Sequence, residues 1–219
     1  ANNSAASGSG SGSGSYGYGS GSGSYGYGSG SGSLEISNLG NETITITDTG
    51  SVAATDLTAV AYLNTGGTLN ASGVTTITGN ASDVIAAYGT GVVDTGLGNE
   101  AITITGGASV TEANTLDDLT TGTITATISE GNSATLATLA DKEGNNAYTI
   151  TITDTTVAAA DLNTINSLTS VAVDGTAITT LTGMMSDVDT AFDTGVLGEI
   201  TGLGAEAVTL SDTNIASAS

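Results

Sequence analysis

The pentapeptide TITIT at Thr43–Thr47 decides the fold, because its core triplet of hydroxyl, aliphatic, hydroxyl is written seven times along the chain. The copies are Thr45-Ile46-Thr47, Thr76-Ile77-Thr78, Thr103-Ile104-Thr105, Thr127-Ile128-Ser129, Thr151-Ile152-Thr153, Thr180-Leu181-Thr182 and Thr209-Leu210-Ser211. They are separated by 31, 27, 24, 24, 29 and 29 residues. A unit recurring every 20–50 residues marks an array in which no unit can bury its apolar face alone. The spacing predicts a repeat solenoid of about seven coils over residues 34–219, with strands stacked in parallel ~4.8 Å apart into a rod of roughly 30–35 Å.

Side chains alternate along a strand, so the central residues fall on one face and their neighbours on the other. Ile46, Ile77, Ile104, Ile128, Ile152, Leu181 and Leu210 are therefore expected to form one buried column. The hydroxyl residues Thr45, Thr47, Thr76, Thr78, Thr103, Thr105, Thr127, Ser129, Thr151, Thr153, Thr180, Thr182, Thr209 and Ser211 would line the opposite face. After most triplets comes a polar corner and an apolar stretch at helical spacing, such as Val52, Leu57, Val60 and Leu63. This predicts a parallel sheet with short helices on one side, a β/α solenoid similar in plan to leucine-rich repeats, with right-handed crossovers. The alternative is an all-β parallel helix, because stretches such as SATLATLA are short and Thr-rich.

A longer period overlies the first. NLGNETITIT at Asn38–Thr47, GLGNEAITIT at Gly96–Thr105 and GLGAEAVTLS at Gly202–Ser211 share one wording, and EGNNAYTITIT at Glu143–Thr153 is a looser fourth. Each block spans two coils. The last triplet is followed by DTNIASAS, where another helix is expected to begin, so the array reads as open at that end. Units such as ITDTTVAAADLNTINSLT at Ile152–Thr169 resemble repeats of very large secreted bacterial surface proteins, of the kind associated with marine cyanobacteria. That resemblance covers roughly Leu34–Ser219 and implies an extracellular structural or adhesive role, with no catalytic residues.

Residues 1–33 are a separate low-complexity arm in which YGYGSGSGS occurs twice, at Tyr16–Ser24 and Tyr25–Ser33. Composition alone reads as a Gly/Ser linker. The strict Gly/Ser alternation would put bare glycines on one face of an extended strand, and its phase slips at Tyr16 and Tyr25. The arm resembles silk-like repeats, and its Tyr16, Tyr18, Tyr25 and Tyr27 are candidate assembly contacts. At ~3.3 Å per residue it could reach roughly 110 Å, further than one rod.

Charge and composition narrow the partners. Lys142 is the sole basic residue against 22 acidic ones, a net charge of −21. Such a field repels nucleic acid and anionic membranes, and no stretch approaches the ~20 apolar residues of a membrane span. There is no Cys and no His, which removes disulfides, thiolate metal sites and triad chemistry. A start at Ala1 rather than Met fits a removed secretory signal or a trimmed chain. Neighbouring carboxylates such as Asp117/Asp118 and Asp187/Asp189 read as solvated surface rather than an acid pair. No enzymatic activity is expected.

Two acid sets recur. Asp56, Asp83, Asp161 and Asp187 fall near helix starts, and Asp48, Asp154 and Asp212 directly follow strands. Helix capping explains them without a metal. Calcium bridging between coils is the competing reading, since Ca²⁺ takes oxygen ligands and would relieve repulsion; no cofactor is otherwise required. The expected function is a secreted subunit that self-assembles head to tail into an extracellular filament, the arm strapping neighbours together. The alternative is a monomeric surface adhesin, or an ice- or glycan-binding module, that uses the Thr-x-Thr face.

Overall fold

Triplets with an aliphatic centre make most of the strands, and the centre is the residue that becomes buried. The computed structural model describes residues 41–212. The arm, with Tyr16, Tyr18, Tyr25 and Tyr27, lies outside those residues. The first third runs β1 (Thr43–Thr45), β2 (Ser51–Ala53), α1 (Ala54–Leu63), β3 (Thr68–Asn70), β4 (Thr76–Gly79) and α2 (Ala81–Ala87). The middle runs β5 (Ala101–Ala108), α3 (Val110–Asp117), β6 (Ile124–Ile128), α4 (Ser133–Leu136) and β7 (Ala147–Thr149). The last third runs β8 (Thr156–Ala158), α5 (Ala159–Ser167), β9 (Val173–Asp174), β10 (Thr180–Gly183), α6 (Met185–Leu197), β11 (Ile200–Thr201) and β12 (Ala207–Leu210).

Every strand pairing among the described residues is parallel. The sheets are β1-β3, β2-β4-β5-β6-β7, β8-β10-β12 and β9-β11. Partners lie about one repeat apart in sequence: Thr43 opposes Thr68, Ser51 opposes Thr76, and Thr76 opposes Ala101. The architecture is therefore parallel β-sheet with short helices, an α/β arrangement. Helices pack in sequence order, α1 on α2, α2 on α3, α4 on α5 and α5 on α6. Each helix buries small and aliphatic residues toward the strands, as Ala54, Leu57 and Val60 do in α1. Tyr148, Leu57, Leu69, Ile77, Ile102 and Leu162 are among the most fully buried side chains. Each contributes about 1.5–3 kcal/mol by leaving water.

The strand count per repeat differs from the expectation. Several repeats hold two short strands separated by a corner, so the triplets do not share one column. Ile77 is flanked by Val52 and Ile102, and Leu181 by Val157 and Val208. Ile104 opposes Gly79, Ile128 opposes Ala108, and Leu210 opposes Gly183. Ile46 and Ile152 follow strands on a different ladder, where Thr45 opposes Asn70 and Thr151 opposes Asp174. Six of these seven side chains are buried, and Leu210 is half-buried. The cause is the distance from triplet to helix. Thr78 lies three residues before Ala81, so its strand leads directly into α2. Thr47 lies seven before Ala54, and the extra residues form β2.

Candidate functional site

The corners between successive strand–helix units carry recurring polar contacts. In the first, an acid that follows one strand caps a helix 20 to 27 residues earlier in the chain. Glu130 Oε2 accepts the Val110 N–H at 3.0 Å, Asp154 Oδ2 accepts the Ser133 N–H at 2.8 Å, and Asp212 Oδ2 accepts the Met185 N–H at 2.6 Å. Each of these amides opens a helix and has no intrahelical acceptor. Ser133 also donates its hydroxyl to Asp154 at 2.9 Å. These donors hold the Asp154 carboxyl below its ordinary range, the Ser133 backbone N–H contributing most. Asp56, Asp83, Asp161 and Asp187 sit in the first turns of α1, α2, α5 and α6, where the helix dipole favours them. Asp48 follows β1 with the same local wording as Asp154. Among the described residues no three acidic side chains converge as a metal-donor group.

A second corner accounts for the GLGxE wording that the longer blocks share. In Gly96-Leu97-Gly98-Asn99-Glu100 the Glu100 carboxylate folds back to accept the Gly98 and Asn99 N–H groups at 2.8 and 3.1 Å. Glu206 does the same with Gly204 and Ala205 at 2.8 and 3.0 Å. The backbone carbonyls at this position receive the next coil: Glu42 O accepts from Thr68 N–H, Glu100 O from the Thr120 hydroxyl, and Asn146 O from Ser170 N–H. Gly96 and Gly202 adopt φ of +99° and +88° and press on the Ser72 and Thr176 backbones, leaving no space for a side chain.

Asn146 stands where related blocks have Glu, and it is buried. Its Oδ1 accepts the Ile124 N–H at 2.9 Å, and its Nδ2 donates to Asp117 at 2.8 Å and to the Tyr148 hydroxyl at 3.1 Å. Asp141 takes over the turn-capping role, accepting the Asn145 and Asn146 N–H groups. Burial, with Asp117 and Asp141 nearby, raises the Tyr148 hydroxyl well above its ordinary pKa. Tyr88 is raised for the same first reason, reinforced by its hydrogen bond to Glu100.

The hydroxyl residues are placed on several ladders rather than one plane. Ala53, Thr78, Thr103 and Thr125 form a continuous outward row on the five-stranded sheet, and Thr127 opposes Thr149. Thr180 opposes Thr156, and Thr182 opposes Thr209. Thr45 and Thr151 lie on the other ladders. Thr45, Thr76, Thr78, Thr103, Thr180 and Thr182 are half-buried; Thr47, Thr105, Thr127, Ser129, Thr151, Thr153, Thr209 and Ser211 are exposed.

Exposed apolar side chains are unevenly placed among the described residues. The exposed large apolar side chains among the described residues are Tyr62, Val171, Met184, Met185, Val196, Leu197 and Val208. Tyr62 is on α1, the first described helix, and the other six lie after α5. Val208 is 43% exposed although Leu181 and Val157, in the same inward row, are at 0% and 1%. Sequence reasoning missed this surface, since Val208 has the same local pattern as its buried counterparts. Lys142 pairs with Asp118 on the surface. No helix of the described residues is long and apolar enough to cross a membrane. No protein-family model, curated protein or solved structure matches this chain.

Proposed function

We propose that this chain is a secreted structural subunit whose repeats form a β/α solenoid and stack head to tail into an extracellular filament. The observation that carries this reading is that, among the described residues, the exposed large apolar side chains fall on α1 and after α5. Apolar groups at the ends of a rod favour end-to-end contact, and a contact that joins two different surfaces propagates without closing. Parallel edges supply the polar half of the contact, since an unpaired edge strand offers free N–H and C=O groups to a further strand. In this scheme the Gly/Ser/Tyr arm straps neighbouring subunits. The net charge of −21 opposes association, so salt or Ca²⁺ promotes it by screening. Sedimentation velocity at low and high salt tests the proposal. Growth into large species with added salt supports it, and a single monomeric boundary at every salt concentration refutes it.

The in-register row of Thr78, Thr103 and Thr125 favours a second reading, a module that binds a flat polysaccharide or ice surface. Replacing those three threonines with valine would then abolish ligand binding while leaving the oligomeric state unchanged.

A further inference from the structure

The turns that carry β4 into α2 and β10 into α6 are written alike. Thr76-Ile77-Thr78-Gly79-Asn80-Ala81-Ser82-Asp83-Val84 and Thr180-Leu181-Thr182-Gly183-Met184-Met185-Ser186-Asp187-Val188 share Thr, an aliphatic, Thr and Gly, and then Ser-Asp-Val. They part at the two residues that open the helix. Asn80 caps α2, its Oδ1 accepting the Asp83 N–H at 2.8 Å, and Ala81 after it is buried. Met184 stands in the place of Asn80 and Met185 in that of Ala81, and both are open to solvent, at 56% and 63% exposure. Met184 gives α6 no side-chain acceptor; its carbonyl alone serves, taking the Asp187 and Val188 N–H groups at 3.1 Å.

These two residues hold every sulfur atom of the chain, which has no Cys, and neither His nor Trp competes with them for a two-electron oxidant. We propose that Met184-Met185 is an oxidation site, at which hydroperoxides convert both thioethers to sulfoxides while the chain stays folded. The sulfur lone pair attacks one peroxide oxygen, an S–O bond forms and the O–O bond breaks. The proton of the attacked oxygen passes to the departing one, which leaves as alcohol, or as water from hydrogen peroxide. Sulfur gives up two electrons and the peroxide receives them. Thiol-dependent reductases, one for each sulfoxide epimer, reverse the step. The inference does not depend on the self-assembly reading above.

Oxidation of methionine disrupts a protein where the side chain fills a core. Here α6 is held by Val188 and Ala191, with Phe192 partly buried against the same cluster, and neither methionine belongs to it. The Met185 N–H donates to Asp212 through the backbone, so that bond does not involve the sulfur. The Met184 sulfoxide would add an acceptor oxygen at the residue position where α2 carries the Asn80 acceptor. A helix N-terminus, with its unpaired N–H groups, favours such an oxygen. Peroxide and reductase can therefore both reach the site without unfolding the chain.

Timed exposure of the full chain to hydrogen peroxide, followed by intact mass and peptide mapping, tests the site. The expected result is one oxygen atom on each of the two methionines. The rate should lie within about threefold of that of the urea-unfolded chain, because exposure sets susceptibility. The double variant Met184→Leu/Met185→Leu should take up no oxygen at the same dose. The oxidised chain should keep a cooperative thermal transition close to the parent's by circular dichroism, as should Met184→Gln, which carries an amide oxygen where the sulfoxide oxygen would be. Sulfoxide reductases of both specificities, with dithiothreitol, should return the parent mass without denaturant. A folded rate more than about tenfold below the unfolded one would show the sulfurs shielded and overturn the proposal. Equal oxygen uptake by the double variant, loss of the cooperative transition on oxidation, or sulfoxides that the reductases remove only after unfolding would overturn it equally.

Discussion

Replacing Asn146 with alanine should be among the most damaging single changes in the chain. Asn146 is 1% exposed and serves three partners at once, on β6, on α3 and on β7. Without its Oδ1 the Ile124 N–H is left buried and unpaired, which costs about 1–3 kcal/mol. Without its Nδ2 the Asp117 carboxylate, itself 3% exposed, keeps only long contacts to the Lys142 N–H at 3.4 Å. Losing a hydrogen bond to a charged buried group adds about 1.5–3 kcal/mol. Overlap between these terms puts the total near 3–5 kcal/mol. With a urea m-value of about 2–3 kcal/mol/M, the midpoint should fall by roughly 1–2 M at unchanged slope. The neighbouring Asn145 donates to the Thr121 carbonyl at an exposed edge, at 3.2 Å, and is the control. Its alanine variant should lose under about 1 kcal/mol. Equal midpoints for the two variants in urea denaturation followed by circular dichroism would refute the buried-network account.

Further expectations follow from the same contacts. Tyr88 and Tyr148 keep their protons in the folded state beyond the pH at which free tyrosine loses its own, near 10.0. Their contribution is therefore complete below pH 10 and is lost above it, at up to about 1.4 kcal/mol per pH unit for each. Tyr148→Phe should visibly flatten the alkaline fall in melting temperature. Glu112, Asp154 and Asp174 are shifted the other way, each chiefly by a backbone N–H donor. Their stabilisation is present above the ordinary carboxylate pKa and disappears as pH falls through the lowered folded values. The difference in melting temperature between the parent and Asp154→Asn should shrink between pH 6 and pH 3. Gly96→Ala places a methyl 2.3 Å from the Ser72 amide at a φ of +99° and should cost roughly 2 kcal/mol or more. Gly50→Ala meets nothing within 4 Å and should be near neutral in the same melting assay.

The parallel strands with short helices were legible because they depend on local alternation and on recurrence, both visible in the triplets. The assignment of each triplet to a ladder was not. Thr45-Ile46-Thr47 and Thr76-Ile77-Thr78 look alike, yet only the second leads straight into a helix. The distance to the next apolar helical stretch held that information, and the insertion of Ser51-Val52-Ala53 was the sign of a second strand. The acids were findable for a similar reason. Capping accounts for Asp154 and Asp212, but the capped helix begins 21 and 27 residues earlier, and no local pattern names it. The shared GLGxE wording marks a carboxylate-closed corner, a use that only the backbone geometry around Gly98 and Gly204 makes evident. The exposed apolar residues escaped notice because Val208 has the same alternating pattern as its buried counterparts Leu181 and Val157.

The central claim is end-to-end assembly, and negative-stain electron microscopy of the purified chain tests it most directly. Grids should be compared for the full chain and for a chain lacking residues 1–33, each with and without calcium or added salt. Long unbranched fibres of the full chain, promoted by salt and lost or shortened without the arm, are the predicted result. Dispersed short rods under every condition would contradict the account.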